Sequence, residues 1–296
     1  MTSLRIFKLA SFPLCLLSPL LPAARCTAQL PANQALPDIH QLIYEVHQHE
    51  MQLDKVRDDY TYTSVQITQS IDADGQVKKT DTVESNDFFV NGHLIERVVK
   101  ENNRPLDNDE RQKEAERIAK LVEKAKTISP SQPLESYAIN LSRVPEIISR
   151  ILPVMEVYHA RRVIWHGRPT IVFDFLGRPD AKTVGIAESA SKNLQGTIWI
   201  DEADRLVVHM EARFNDNFHL ALGLFASIEK GSSLRFDRAL VNSEVWLPAG
   251  ADADLQGRIL MVKSYHEHVT EHDYNFERPH IDAQRINDAD AWPQRK

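Results

Sequence analysis

Past residue 26 the chain has no cysteine: of its 296 residues, only Cys15 and Cys26 carry a thiol. If that first segment is removed, cysteine nucleophiles, disulfide frameworks and Cys-ligated zinc are excluded with it. Glycine is scarce, at 10 positions, and no glycine-rich phosphate loop or dinucleotide fingerprint occurs. A Gly-x-Ser-x-Gly elbow and a His-Glu-x-x-His pair are missing as well. Basic charge is not in excess. The formal charge is −7 and the isoelectric point about 6.0, which argues against binding nucleic acid by neutralising phosphates. What remains, 42% hydrophobic and 26% charged residues, is an ordinary globular composition. No catalytic signature replaces the missing ones, so the expectation is a protein without enzymatic activity or cofactor.

The N-terminus reads as an export signal. Arg5 and Lys8 precede an apolar run from Leu9 to Leu21, and Cys26-Thr27-Ala28 places small residues at the −3 and −1 positions of a cleavage site. The run is too short to span a bilayer, which takes roughly 20 residues. Pro13 and Pro19 disfavour a buried helix there. Arg25 stands before Cys26 where a lipidation signal has a small residue, so the expectation is cleavage after Ala28 and export without a lipid anchor. Loss of residues 1–28 removes Arg5, Lys8 and Arg25 and no acid, moving the formal charge from −7 to −10. No later stretch is apolar enough for a transmembrane helix.

Residues 29–37 form a short leader, 38–276 a single domain, and 277–296 a polar tail. Asp38 caps an amphipathic helix carrying Ile39, Leu42, Ile43, Val46, Leu53 and Val56, with Gln41 at the capping-box position. The period then falls to two. Residues 60–71, 76–86 and 94–101 read as a three-strand meander, with turns at Asp72-Ala73-Asp74-Gly75 and Asn91-Gly92. A second helix, capped by Asp107 with Glu110, has a stripe of Ala115, Ile118, Ala119, Val122 and Ala125. A third lies near 145–152. Strands follow at 158–165, 169–175, 196–201, 205–214, 218–230, 232–241, 244–248, 257–269 and 273–276, with 176–195 as irregular connection. Several strands are long enough to curl, so the fold class expected is mainly β with helices: an incomplete antiparallel barrel of about 11 strands, its concave apolar face covered by amphipathic helices.

Along 205–214, Leu206, Val208, Met210, Ala212 and Phe214 alternate with Arg205, His209, Glu211 and Arg213. This is the pattern of a half-buried strand. Trp199, Leu206, Val208, Met210, Phe214, Trp246 and Met261 are therefore the candidates to line a ligand cleft. Core packing is the plainer reading of the same residues. His266, His268 and His272 lie at spacings that share one strand face, and imidazoles with neighbouring carboxylates suit zinc or copper. An exposed polar edge near a turn is the plainer reading, so no metal is expected there. Asp252 and Asp254 read as turn residues.

The run Gly196-Thr197-Ile198-Trp199-Ile200-Asp201, a turn, and then Arg205-Leu206-Val207-Val208-His209-Met210-Glu211 resembles the Gly-x-x-Trp-x-Asp hairpin of the bacterial outer-membrane lipoprotein carrier superfamily (LolA/LolB-like). Trp246-Leu247-Pro248 with the strand from Arg258 to Tyr265 resembles a later hairpin of that group. The resemblance covers roughly 38–276. It implies an incomplete barrel with helices inside, in a periplasmic protein that binds acyl chains or lipoproteins and uses no cofactor. The expectation is thus a periplasmic, monomeric carrier of an apolar ligand. Alternatives are a sensor or scaffold of the same fold that binds a protein partner or a membrane surface, with helix 107–126 as the docking face, and a metal-assisted enzyme at His266, His268 and His272.

Overall fold

The computed structural model describes residues 35–129, 132, 134, 148, 151–183, 185–220, 226–259 and 263–278. The export segment, Met261 and Trp292 lie outside the described residues, as do most of the leader, most of the third helix and most of the tail.

One antiparallel sheet organises the chain. In order of sequence, α1 (Ile39–Arg57) precedes β1 (Thr61–Ile71), β2 (Val77–Val90), β3 (His93–Glu101) and the two-residue β4 (Arg104–Pro105). Then come α2 (Asn108–Thr127), β5 (Met155–Trp165), β6 (Arg168–Gly177) and the short α3 (Ile186–Ser191). The rest is strand: β7 (Leu194–Asp201), β8 (Leu206–Phe214), β9 (Phe218–Leu220), β10 (Ala226–Ile228), β11 (Ser233–Val241), β12 (Val245–Ile259) and β13 (Lys263–Glu277). The strands pair in the order β4-β3-β2-β1-β13-β12-β11-β8-β7-β6-β5, with β10 beside β12 and β9 beside β10. Strands β4 and β5 end this order without pairing to each other, so the sheet is an open half-barrel.

The chain terminus closes the topology. Strand β13 enters between β12 and β1, so the meander β1–β3 and the long run β5–β12 become one surface. Strand β12 is much longer than the sequence pattern shows. Pro248 and Gly250 look like a break, but Ala249 is a bulge opposite Asp237 and Arg238, and β12 continues through to Ile259. Asp252 and Asp254 therefore lie mid-strand rather than at turns. The stretch expected as one strand, 257–269, divides between β12 and β13. That expected at 218–230 divides into β9 and β10, and part of 176–195 is helix α3.

The two long helices take opposite faces. Leu42, Ile43 and Val46 of α1 pack on the concave side against Ile171, Phe173, Phe175, Ile198, Val207, Met210 and Phe236. Helix α2 lies on the other face, against Phe88, Val90 and Ile95 through Ile118, Leu121, Val122 and Ala125. Phe88 and Ile95 are cross-strand partners, as are Phe89 and Leu94, which point the opposite way into the α1 side. Only α1 therefore covers the concave face in the way expected of both. The α2 start is built as its sequence specifies: Asp107 accepts from the Glu110 amide (2.9 Å), and Glu110 accepts from the Asp107 amide (2.8 Å). Asp38 likewise accepts from the Gln41 amide (2.8 Å) ahead of α1.

Candidate functional site: the concave face

Side chains two apart on a strand share a face, so the pairing register sorts the concave surface into zones. The first is apolar. Strands β6, β7, β8, β11 and β12 supply a floor of Ile171, Phe173, Phe175, Ile198, Ile200, Met210, Ala212, Phe214, Phe236, Ala251, Ala253 and Leu255, with Val269 of β13 at its border. Ile148, Ile151, Leu152 and Met155 pack at its side, and α1 lies over it. Gly196 allows the floor to close: a Cβ there would stand 2.0 Å from the Glu211 carbonyl oxygen and 2.9 Å from the Phe175 ring.

The second zone is a charge cluster under α1. Glu50 of the helix accepts from Arg238 of β11 (2.5 and 3.2 Å) and from Arg57 one helical stretch on (2.7 Å). Arg238 also donates to the Val207 carbonyl (3.0 Å), tying helix, β8 and β11 together. All three side chains are buried. Burial pushes the Glu50 carboxyl up, but the two guanidiniums outweigh it and hold it below the usual carboxylate range.

The third zone is acidic. On β1, β2, β3 and β13, Tyr62 faces Asp87, Asp87 faces Glu96, and in the next row Ser85 faces Ser64, which faces Asp273. Glu271 precedes Asp273 on the same face of β13. Tyr62, Asp87, Glu271 and Asp273 are buried, Asp87 with no exposed surface. Neither oxygen of Asp87 or Asp273 has a hydrogen-bond partner, nor has the Tyr62 hydroxyl. Ser85 beside Asp87 and Ser64 beside Asp273 lower these carboxyls and offset only part of the burial. Burial, then the negative charge of Glu96, Asp273 and Glu271, lifts the Asp87 carboxyl well above its ordinary range. Burial lifts Asp273 to about 6, and the Tyr62 phenol also rises, through burial and then the surrounding acids. Phe89 and Phe276 hold the Tyr62 ring (6.2 and 5.5 Å between centroids), and Leu53 and Val56 of α1 pack against the same cluster.

The residues singled out in the sequence divide between two places. Met210 and Phe214 lie on the apolar floor. Leu206 and Val208 do not join them, contrary to the alternation in the sequence. A bulge between Trp199 and Ile200 and their partners His209 and Val207 leaves Val208 unpaired, so Val207 faces the floor. Leu206 and Val208 instead cluster with Trp246, Trp165, Trp199 and Leu240. His209, expected on the solvent side, is 3% exposed. It stacks on Trp165 (4.8 Å), meets Trp199 edge-on (4.5 Å) and lies 2.7 Å from Asp237. Trp246 donates to Asp204 (2.8 Å) and lies beneath the Arg168 guanidinium (5.6 Å). Asp201, the last residue of the tryptophan motif, accepts from the Ala203 and Asp204 amides and from Arg168, so it forms the β7–β8 turn. Trp199, Leu206, Val208 and Trp246 thus brace the hairpin rather than line the floor.

His266, His268 and His272 share the outer face of β13 without converging. His266 lies 3.1 Å from Asp254, His268 3.2 Å from Asp252, and His272 stacks on Tyr274. Among the described residues no three histidine, cysteine or acidic side chains form a metal-binding group. The three histidines are therefore not assembled for the metal-assisted reading.

Two hollows open on the surface. One of about 450 Å³ lies where α1 begins, between His40, Met155, Leu176, Gly177 and Arg178. One of about 340 Å³ runs across β7, β8, β11 and β12, beside Thr197, Glu211, Arg235 and Asp252. The first reaches Met155, a member of the apolar floor's cluster.

No protein-family profile matches the chain, and no curated protein matches it. Solved structures similar to it include an outer membrane lipoprotein-sorting protein domain from Vibrio parahaemolyticus, at 9% identity and a TM-score of 0.30, covering 83% of this chain and 97% of that one. Another is a DUF1329 family protein from Desulfovibrio piger, at 8% identity and 0.25, covering 80% and 92%. A third is MucB in complex with MucA(peri), at 8% identity and 0.24, covering 80% and 94%. At such scores the backbones do not superpose closely, and the fold stands on the strand pairing described above.

Proposed function

We propose that the protein is an exported, non-enzymatic carrier that holds an acyl chain, or a ligand of similar apolar shape, on the concave face of its half-barrel in the place α1 now fills. The observation that carries this reading is the lid. One amphipathic helix covers a continuous apolar floor from β6 to β13, and the sheet beneath is open at both edges. Withdrawal of α1 would bare that floor without breaking any strand pairing. The hollow at the N-terminal end of α1 supports the reading, since about 450 Å³ is within the range of small-molecule sites and it meets the floor at Met155. Export rests on Arg5, Lys8, the apolar run and the small residues at Cys26-Thr27-Ala28. Among the described residues no helix is long and apolar enough to cross a membrane.

A protein-binding role for α2 has less behind it. Glu114 pairs with Arg117, Glu123 with Lys126, and Glu110 with Arg104, so these charges are matched within the helix and its approach rather than presented to a partner.

The test is chemical. Protein purified from the expressing cell is denatured, extracted with organic solvent and examined by mass spectrometry. A fatty-acyl species near one per chain is expected. A clean extract, together with no uptake of a fluorescent fatty acid, rejects the carrier.

A further inference from the structure

The two ends of α1 lie over different surroundings. Below its C-terminal half the apolar floor runs into buried charge: Phe236 belongs to the floor, and Arg238, two residues on along the same face of β11, is bound to Glu50 of the helix. Below its N-terminal end the floor meets the hollow of about 450 Å³. Phe175 belongs to the floor, and Gly177, two residues on along β6, lines the hollow opposite its partner Met155. The hollow is graded in polarity. Met155 and Gly177 are buried, Val157 is half-buried, and His40, Glu156, Arg178 and Asp180 are exposed. An apolar depth under a polar rim is the shape of a site for an amphiphile, with its head outward and its chain inward.

The rim carries both signs of charge. Arg178 brings a guanidinium, and Glu156 and Asp180 bring a carboxylate each. Arg178 and Asp180 stand 3.7 Å apart, with side chains 48% and 81% exposed. That separation is longer than a hydrogen bond, so their donors and acceptors are open to a third group. A head of one sign fits such a rim poorly. A free carboxylate beside Arg178 also meets two acids, and a simple amine between the acids also meets the guanidinium; each like-charge contact offsets part of the attraction. A head that holds a phosphate and a primary ammonium meets both signs at once. Its phosphate oxygens match the planar fork of a guanidinium, and its N–H groups match the carboxylates.

We propose that this hollow is the head-group subsite of the carrier, and that the carried ligand is an acyl lipid whose head is a zwitterion of one phosphate and one primary ammonium. This rests on the carrier reading above. Arg178 donates to the phosphate oxygens, and Glu156 and Asp180 accept the ammonium N–H groups. The acyl chain passes Met155 and Val157 onto the floor at Phe175 and runs toward Arg238, in the place that Leu42, Ile43 and Val46 now fill. From His40 at the rim to Glu50 at the charge cluster is ten residues of α1, about 15 Å at the rise of a helix. His40 moves with the lid. The three recognising side chains stand on β5 and on the chain just past β6, so they stay in place when the lid opens.

The experiment compares four probes with the same twelve-carbon chain, below their micelle concentrations, by calorimetry on the purified protein: lauroyl lysophosphatidylethanolamine, lauroyl lysophosphatidylglycerol, lauroyl lysophosphatidylcholine and dodecanoate. The glycerol head keeps the phosphate without the cation, and the choline head keeps both charges without N–H donors on the cation. We expect the ethanolamine lipid to bind at least about fivefold more tightly than each of the others. In Glu156→Gln/Asp180→Asn the ethanolamine and glycerol lipids should bind within about twofold of each other, and Arg178→Gln should weaken all three phospholipids by about fivefold or more. These side chains are exposed, and an unchanged unfolding midpoint checks that each variant is folded. An ethanolamine lipid no tighter than any one of the other probes, or a preference unchanged in the double variant, overturns the head-group subsite and leaves the carrier standing. Binding of none of the four overturns both.

Discussion

Glu50 and the aspartates of the acidic zone show how much one buried charge depends on its neighbours. Glu50 is ionised between two guanidiniums, and removal of one member of such a cluster leaves the others buried without compensation. Glu50→Gln should therefore destabilise the protein by about 3–5 kcal/mol in urea unfolding, whereas a loss under 1 kcal/mol would mean the cluster is solvated. Asp273 works in the opposite sense. Its folded carboxyl titrates near 6 against an ordinary 3.8, so the folded state holds the proton more tightly than the unfolded chain. Its contribution is fully favourable below about pH 4 and is lost as pH rises through 6. A shift of that size corresponds to about 3 kcal/mol. We predict that stability falls between pH 4 and 7, and that Asp87→Asn/Asp273→Asn flattens this slope and is the more stable form at pH 7. A double variant with the parent's slope would remove these residues from the account.

At the scale of elements, the local signals were plain where one physical cause acts. Capping chemistry and helical spacing located α1 and α2, and period-two alternation located β1, β3, β6, β7 and β11 closely. Asp107→Ala should cost α2 about 1 kcal/mol, read as a lowered unfolding midpoint. Leu42→Ala in α1 should cost about 2–5 kcal/mol, because the cavity opens against a floor that cannot collapse. Bulges were not legible. Val208 and Ala249 carry no residue signal for an unpaired position, yet the first exchanges the faces of Val207 and Val208 and the second turns an apparent break into one long strand. Nor were the sites: Asp87, Glu96, Glu271 and Asp273 lie up to 186 residues apart in sequence, and only the insertion of β13 beside β1 places them on one surface. Tyr62 within an alternating strand was the one local hint that this face is not uniformly apolar.

For the whole molecule, the open sheet leaves its edges unpaired and, among the described residues, gathers its largest apolar cluster on the concave face. Edge β5 is blunted by a bulge between Tyr158 and Arg161, with His159 in a left-handed conformation (φ 54°), which discourages pairing with another chain. The concave face is protected differently, by a helix anchored through Glu50. A carrier of this design needs that helix to leave when ligand enters. The chain beyond residue 28 has no thiol of its own, so Tyr44→Cys on the exposed side of α1 and Glu211→Cys on the outer face of β8 can be spin-labelled as a unique pair. Their separation is then measured by pulsed electron resonance with and without a fluorescent fatty acid. The account predicts a longer separation in the ligand-bound protein, saturating at one ligand per chain. Saturable binding with the distance unchanged would contradict it.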